Sequence, residues 1–197
     1  MNTNLLLAKG IKLEYATLVW NVISCIPLII FSRQQNSLAL FGFGIDSVIE
    51  ILASVIVIWQ LKAAYNKRDE ELAIKCIGVS FILLSVYIII QAWLNFTSSS
   101  IPKPTIISII WLMITALVMF SLANGKNRIG KKINNPVLLA ESKVTVIDGL
   151  LAVSVLIGLV FVKYFGWKWM DTISSFVIVF YGMKEAIHAF KSINSNH

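Results

Sequence analysis

Apolar residues fill six stretches of this chain, at about 13–31, 38–61, 72–94, 105–123, 137–162 and 169–189, with polar and charged residues gathered between them. Each stretch has about the 17–25 residues that a helix needs to cross a hydrocarbon layer ~30 Å thick. The separators are short and carry loop punctuation: Arg33 to Ser37, Asn66 to Glu71, Thr97 to Pro104, Asn124 to Pro136, and a tight hairpin from Lys163 to Lys168. The pattern predicts an all-α polytopic membrane protein, a six-transmembrane-helix bundle that forms one domain over residues 1–197.

Composition supports that class. Of 197 residues, 57% are hydrophobic and only 14% charged, and the mean hydropathy of +0.80 is far from that of a soluble domain. The net charge of +7 would suit nucleic acid. The basic residues, however, sit between apolar runs rather than on one amphipathic face, so they read as determinants of topology and no nucleic-acid partner is expected. Thirteen lysines and arginines, among them Lys9, Lys12, Lys62, Lys126 and Arg128, fall on one side of the six spans. Arg33, Lys103, Lys163 and Lys168 fall on the other. By the positive-inside rule both termini are cytoplasmic. Cys25 and Cys76 lie inside apolar segments with no metal or redox spacing. No signal-peptide pattern with a cleavage site opens the chain, so the first helix is expected to be retained as an anchor. Trp111, Trp167 and Trp169 lie near span ends, where interfacial tryptophans are expected.

Charges inside the apolar runs carry the chemistry. Phe41-Gly42-Phe43-Gly44-Ile45-Asp46-Ser47-Val48-Ile49-Glu50 puts two carboxylates in the second stretch. At i, i+4 they share one helix face, their Cβ atoms about 5–6 Å apart. At ~1.5 Å per residue Asp46 lies ~12 Å and Glu50 ~18 Å into the span. Asp148 lies ~16 Å into the fifth span, counted from the opposite face. Two helices entering from opposite sides thus bring all three acids near one level. Each ionised carboxylate at that depth costs roughly 2.5–3.5 kcal/mol. The pattern places no basic residue deep in any span, which leaves internal salt bridging without a partner. A bound divalent cation, with Asp46, Glu50 and Asp148 as metal ligands, is favoured. Once such an ion leaves, the carboxylates face one another in a poorly hydrated cavity, and protons are the charge available to replace it.

The remaining ionisable groups are weighed more simply. Asp171, ~5 Å into the sixth span, is either a helix N-terminal residue favoured by the dipole or an outer gate and accessory metal ligand. Glu141 and Lys143, at the cytoplasmic start of the fifth span, are interfacial or mark metal access from the cytoplasm. Glu14 is expected at the interface, His188 at a span boundary, and Asp69-Glu70-Glu71 in a solvated loop. Small residues, including Gly42, Gly44, Ser47 and Ser54 in span two and Gly149, Ala152 and Gly158 in span five, suggest that these spans touch.

An enzyme is the rival class. Gly42-Phe43-Gly44-Ile45-Asp46 is near the glycine-aspartate motif of intramembrane aspartyl proteases, but one residue separates the second glycine from the aspartate. No HExxH, Gly-x-Ser-x-Gly or Walker sequence is present. A proton-coupled exporter of organic cations would also use a membrane-embedded carboxylate, and a membrane partner that transports nothing would tolerate its loss.

With the carboxylate pair of span two, the fifth-span run from Ala140-Glu141-Ser142 to Asp148-Gly149-Leu150-Leu151-Ala152 resembles the cation diffusion facilitator superfamily. A compact branch that includes a vesicular zinc transporter is similar also in Ile56-Val57-Ile58-Trp59 and in Trp169-Met170-Asp171-Thr172 with Tyr181-Gly182-Met183-Lys184. The resemblance implies six spans with cytoplasmic termini, export of a divalent cation, Zn²⁺ first, in exchange for protons, a homodimer, and no prosthetic group. It implies a multi-pass protein of the cell (inner) membrane. Two departures stand out. Val144 occupies the position where most zinc-transporting members place a histidine, which leaves an all-oxygen site that also suits Mn²⁺. The family's cytoplasmic C-terminal domain has no counterpart, so dimerisation is expected to rest on membrane helices.

Overall fold

The computed structural model describes residues 3–62, 67–97 and 103–167, together with 179–180, 183–184, 186–187 and 190–191. Among them all regular structure is helical. Five long helices follow one another: α1 (Thr3–Gln35), α2 (Leu38–Lys62), α3 (Lys67–Thr97), α4 (Ile106–Ile133) and α5 (Pro136–Phe165). Each is long and apolar enough to cross a membrane. The sixth stretch lies largely outside the described residues.

The helices outrun the apolar stretches that announce them. α1 starts at Thr3 rather than near Leu13, and α3 at Lys67, so Lys67 to Glu71 is helix and not a loop. α4 continues to Ile133, through the Asn124-Gly125 and Gly130 that read as punctuation. Its end is set instead by Asn134, which turns left-handed at φ 50° and closes the helix onto Gly130 O. Asn135 then caps α5, its side chain accepting from Leu138 N, with Pro136 opening the first turn. Two residues therefore reverse the chain. At the other end of the bundle Asn36 and Ser37 do the same between α1 and α2, with Ser37 Oγ accepting from Leu40 N at 3.2 Å.

Two antiparallel hairpins, α1–α2 and α4–α5, have the most extensive contacts. They meet through α1 against α4 and α2 against α5, and α3 packs on α2 and α5. The apolar core between them includes Leu40, Phe43, Phe81, Leu112, Ile147 and Leu151. Polarity is inverted elsewhere, as hydrocarbon solvent requires. Ile26, Leu52, Leu117 and Trp93 are 62–68% exposed, while Glu14, Thr17, Asn21, Glu50 and Lys126 are buried.

The α1·α4 seam is fastened at both ends. At one, Gln35 is buried and its Nε2 donates to Thr105 Oγ1 (3.0 Å), while its Oε1 accepts from Ser108 Oγ (2.9 Å). At the other, which carries Lys9, Lys12, Lys131 and Lys132 and is called the basic end below, Leu13 fills the space beside Gly125. Close approach there sets up an ion pair described next. Nearer still to the basic end, Gly10 faces Leu138 of α5, Ile129 of α4 and Leu61 of α2, so four helices converge on a residue without a side chain.

Candidate functional site

The interior of the bundle is lined by polar faces on four helices. On α1, Glu14, Thr17, Asn21 and Ser24 recur at three and four residues, all at most 1% exposed. Asp46, Glu50 and Ser54 form the matching face of α2, and Glu141, Thr145 and Asp148 that of α5. Lys126 of α4 completes the set. Helical spacing brings these residues inward; nothing else in the sequence distinguishes the α1 face from ordinary helix-packing serines and threonines.

The carboxylates predicted as ligands are all buried, with Asp46 and Glu50 at 2% and Asp148 at 3% exposure. The direct link between their helices is a hydroxyl. Thr145 Oγ1 donates to Glu50 Oε1 at 3.1 Å. α2 and α5 run antiparallel, so moving from Glu50 to Asp46 climbs ~6 Å while moving from Thr145 to Asp148 climbs ~4.5 Å the same way. Asp148 therefore lies at about the level of Asp46, one turn further from the basic end than Glu50 and Thr145. Glu50 Oε2 and Asp148 Oδ2 are buried with no hydrogen-bond partner. Among the described residues no three His, Cys, Asp or Glu side chains are gathered as they would be around one metal ion. The acids share a level without closing on a common point. Val144 is buried beside them and brings no donor atom.

The structure corrects the expectation that no basic residue lies inside. Lys126 is wholly buried. Its Nζ lies 3.0 Å from Glu14 Oε2 and 3.4 Å from Glu141 Oε1, and it donates to Thr145 Oγ1 at 3.0 Å. Glu14, read as interfacial, and Glu141, read as interfacial or as marking metal access, are equally buried on either side of it. The cause is the length of α4. Met119, Ala123, Lys126 and Gly130 continue its buried face at helical spacing, a signal that the glycines, read as loop punctuation, obscured. Thr145 joins this cluster to Glu50, so α1, α2, α4 and α5 share one polar network. Among the described residues no cation pairs with Asp46, Glu50 or Asp148. Asp171 and His188 lie outside the described residues.

Gly44 and Gly149 face helices other than those of the contact suggested by the sequence. Gly44 lies against Leu28 and Ile29 of α1, and a Cβ on Gly149 would stand 2.9 Å from the Phe120 ring of α4. α2 and α5 do pack together as expected, while Gly44 faces α1 and Gly149 faces α4.

Comparison with known proteins converges on one family. The description "cation efflux transmembrane domain" matches residues 15–194. The chain is 22% identical over 184 residues to transmembrane protein 163 of Xenopus laevis, covering 89% of this chain and 66% of that protein. It is 28% identical over 169 residues to the cadmium, cobalt and zinc/H(+)-K(+) antiporter of Bacillus velezensis, 79% of this chain and 53% of the other. It is also 28% identical over 180 residues to the manganese efflux system protein MneS of Bacillus subtilis, 86% and 61% respectively. The chain thus spans roughly half to two thirds of the length of these relatives. With five apolar helices and a family match over nearly its whole length, this multi-pass membrane protein belongs to the cation efflux family.

Proposed function

We propose that the protein exports a divalent metal cation from the cytoplasm in exchange for protons, with Zn²⁺ as first cargo and Mn²⁺ next. The observation that carries this reading is the pair of unpartnered buried oxygens, Glu50 Oε2 and Asp148 Oδ2, on helices that already touch through Thr145. Buried carboxylate oxygens without donors are costly, and three acids without a cationic partner call for mobile positive charge. A divalent ion supplies it in one state and protons in the other. Asp46, Glu50 and Asp148 are the ligands in this reading, and closing on one ion requires α2 and α5 to draw together. That closure gives a means of alternating access. Asp171 serves as an outer accessory ligand.

The names of the relatives support the class of cargo. An antiporter for cadmium, cobalt and zinc and a manganese efflux protein both fall among them. Val144 leaves the oxygen set without imidazole, which lowers the advantage of Zn²⁺ over Mn²⁺. The charge asymmetry of the loops puts the basic end in the cytoplasm, and two copies pairing through lipid-facing helices make the working unit.

Proteoliposomes test the reading. Zn²⁺ and Mn²⁺ uptake should be driven against its gradient by an imposed proton gradient, and metal flux should move protons the opposite way. Glu50→Gln, which keeps shape and removes charge, should abolish flux. Unchanged flux in Glu50→Gln would remove the site, while flux indifferent to the proton gradient would remove antiport and leave transport standing.

A further inference from the structure

We propose that Glu14 and Glu141 form a second divalent-cation station between the basic end and the Asp46–Glu50–Asp148 level, and that the Lys126 ammonium occupies it as a tethered stand-in which arriving cargo displaces. The inference rests on the transport reading and adds a site to it.

Three observations carry it. The first is the shape of the cluster. One cation is surrounded by Glu14 Oε2 at 3.0 Å, Glu141 Oε1 at 3.4 Å and Thr145 Oγ1 at 3.0 Å, all wholly buried and supplied by two helices other than its own. Without the ammonium, the same atoms are an all-oxygen set of the kind that Mn²⁺ and Mg²⁺ accept, with water completing the shell.

The second is that the lysine does not satisfy the cluster. Glu14 Oε1 and Glu141 Oε2 are buried with no hydrogen-bond partner. Two carboxylates face one positive charge, whereas a dication would neutralise both. The third is connection. Thr145 Oγ1 accepts from Lys126 and donates to Glu50 Oε1, so a single hydroxyl separates the station from the deeper carboxylates. Lys126 reaches the cluster on a flexible four-carbon stem from α4, and in this proposal rotation about that stem takes its ammonium off the two carboxylates. A strongly bound fixed cation at this place would bar small monovalent ions and yield to a divalent one.

Counting Mn²⁺ bound per purified chain, by the electron paramagnetic resonance signal of the free ion, tests the proposal. The unmodified protein should hold one tightly bound ion and Lys126→Met two. Glu14→Gln and Glu141→Gln added to Lys126→Met should return the count to one. Asp148→Asn in the Lys126→Met background should also leave one ion, because only the deeper site is lost. A count of one in folded Lys126→Met overturns the station; a count that Asp148→Asn does not lower overturns the deeper site instead. Should Lys126→Met fail to fold, the unmodified protein decides. Mn²⁺ should raise the acetylation of Lys126 by acetic anhydride severalfold while that of Lys131 stays constant, and no rise overturns the proposal.

Discussion

Thr145 stands between two buried charges and has one proton to give. Its oxygen accepts from Lys126 and lies 3.1 Å from both Glu50 Oε1 and the backbone Glu141 O, which share that proton, leaving Oε2 as the lone unpartnered oxygen of the Glu50 carboxylate. Partners of this kind orient a metal ligand and change metal affinity by roughly 10–100-fold when lost. Thr145→Val keeps the shape and removes the hydroxyl's bonds to Lys126 and Glu50, so Mn²⁺ affinity should fall at least about tenfold. Thr145→Ser keeps the hydroxyl and should retain affinity; titration calorimetry on the two variants separates loss of orientation from loss of packing. Equal affinity in Thr145→Val and the unmodified protein would mean that Glu50 is held by something else. At this scale the burial of Asp46, Glu50 and Asp148 was legible, because a carboxylate within an apolar run has nowhere else to go. Lys126, Glu14 and Glu141 were not. A charged residue near the end of an apolar run looks the same whether it meets water or a partner on a neighbouring helix, and only tertiary packing decides.

Helices and their contacts show the same division. The five described spans were visible as apolar runs, but their ends were not, since α1, α3 and α4 continue for several residues in polar sequence. Intrahelical hydrogen bonding needs no apolar residue, and the termini follow caps such as Thr105, Asn134 and Asn135 rather than hydropathy. Small residues flagged the contact of α2 with α5, which is present, although Gly44 and Gly149 themselves face α1 and α4. Gly149 lies so near the Phe120 ring that a methyl group would meet it at 2.9 Å, whereas a methyl on Gly44 would sit at an ordinary 3.5 Å from Ile29. Gly149→Ala should therefore push α4 from α5 and cost about 1–3 kcal/mol as an overpacked contact, lowering the thermal unfolding midpoint in detergent. Gly44→Ala should leave the midpoint nearly unchanged, and a similar loss in both variants would contradict the assigned contacts.

For the whole molecule, the hairpin order and the inverted polarity followed from sequence, while the seam between hairpins did not. That seam has a physical length. Twenty-one residues of α1 separate Glu14 from Gln35, and eighteen of α4 separate Ser108 from Lys126. At ~1.5 Å per residue the two polar fastenings lie about 27–31 Å apart, close to the ~30 Å of a bilayer's hydrocarbon. While Lys126 holds Glu14, two helices fixed to each other at points that far apart cannot answer a thicker or thinner membrane by sliding or by tilting independently, so hydrophobic mismatch must be borne by the lipid or by the whole bundle. Metal flux should consequently peak in vesicles whose acyl chains match that length and decline with both shorter and longer chains. Gln35→Ala removes the bonds to Thr105 and Ser108 and should flatten the curve; a flat profile in the unmodified protein would show that the seam does not sense thickness. The fastening that keeps α1 on α4 thereby makes membrane thickness a determinant of how well the proposed transport runs.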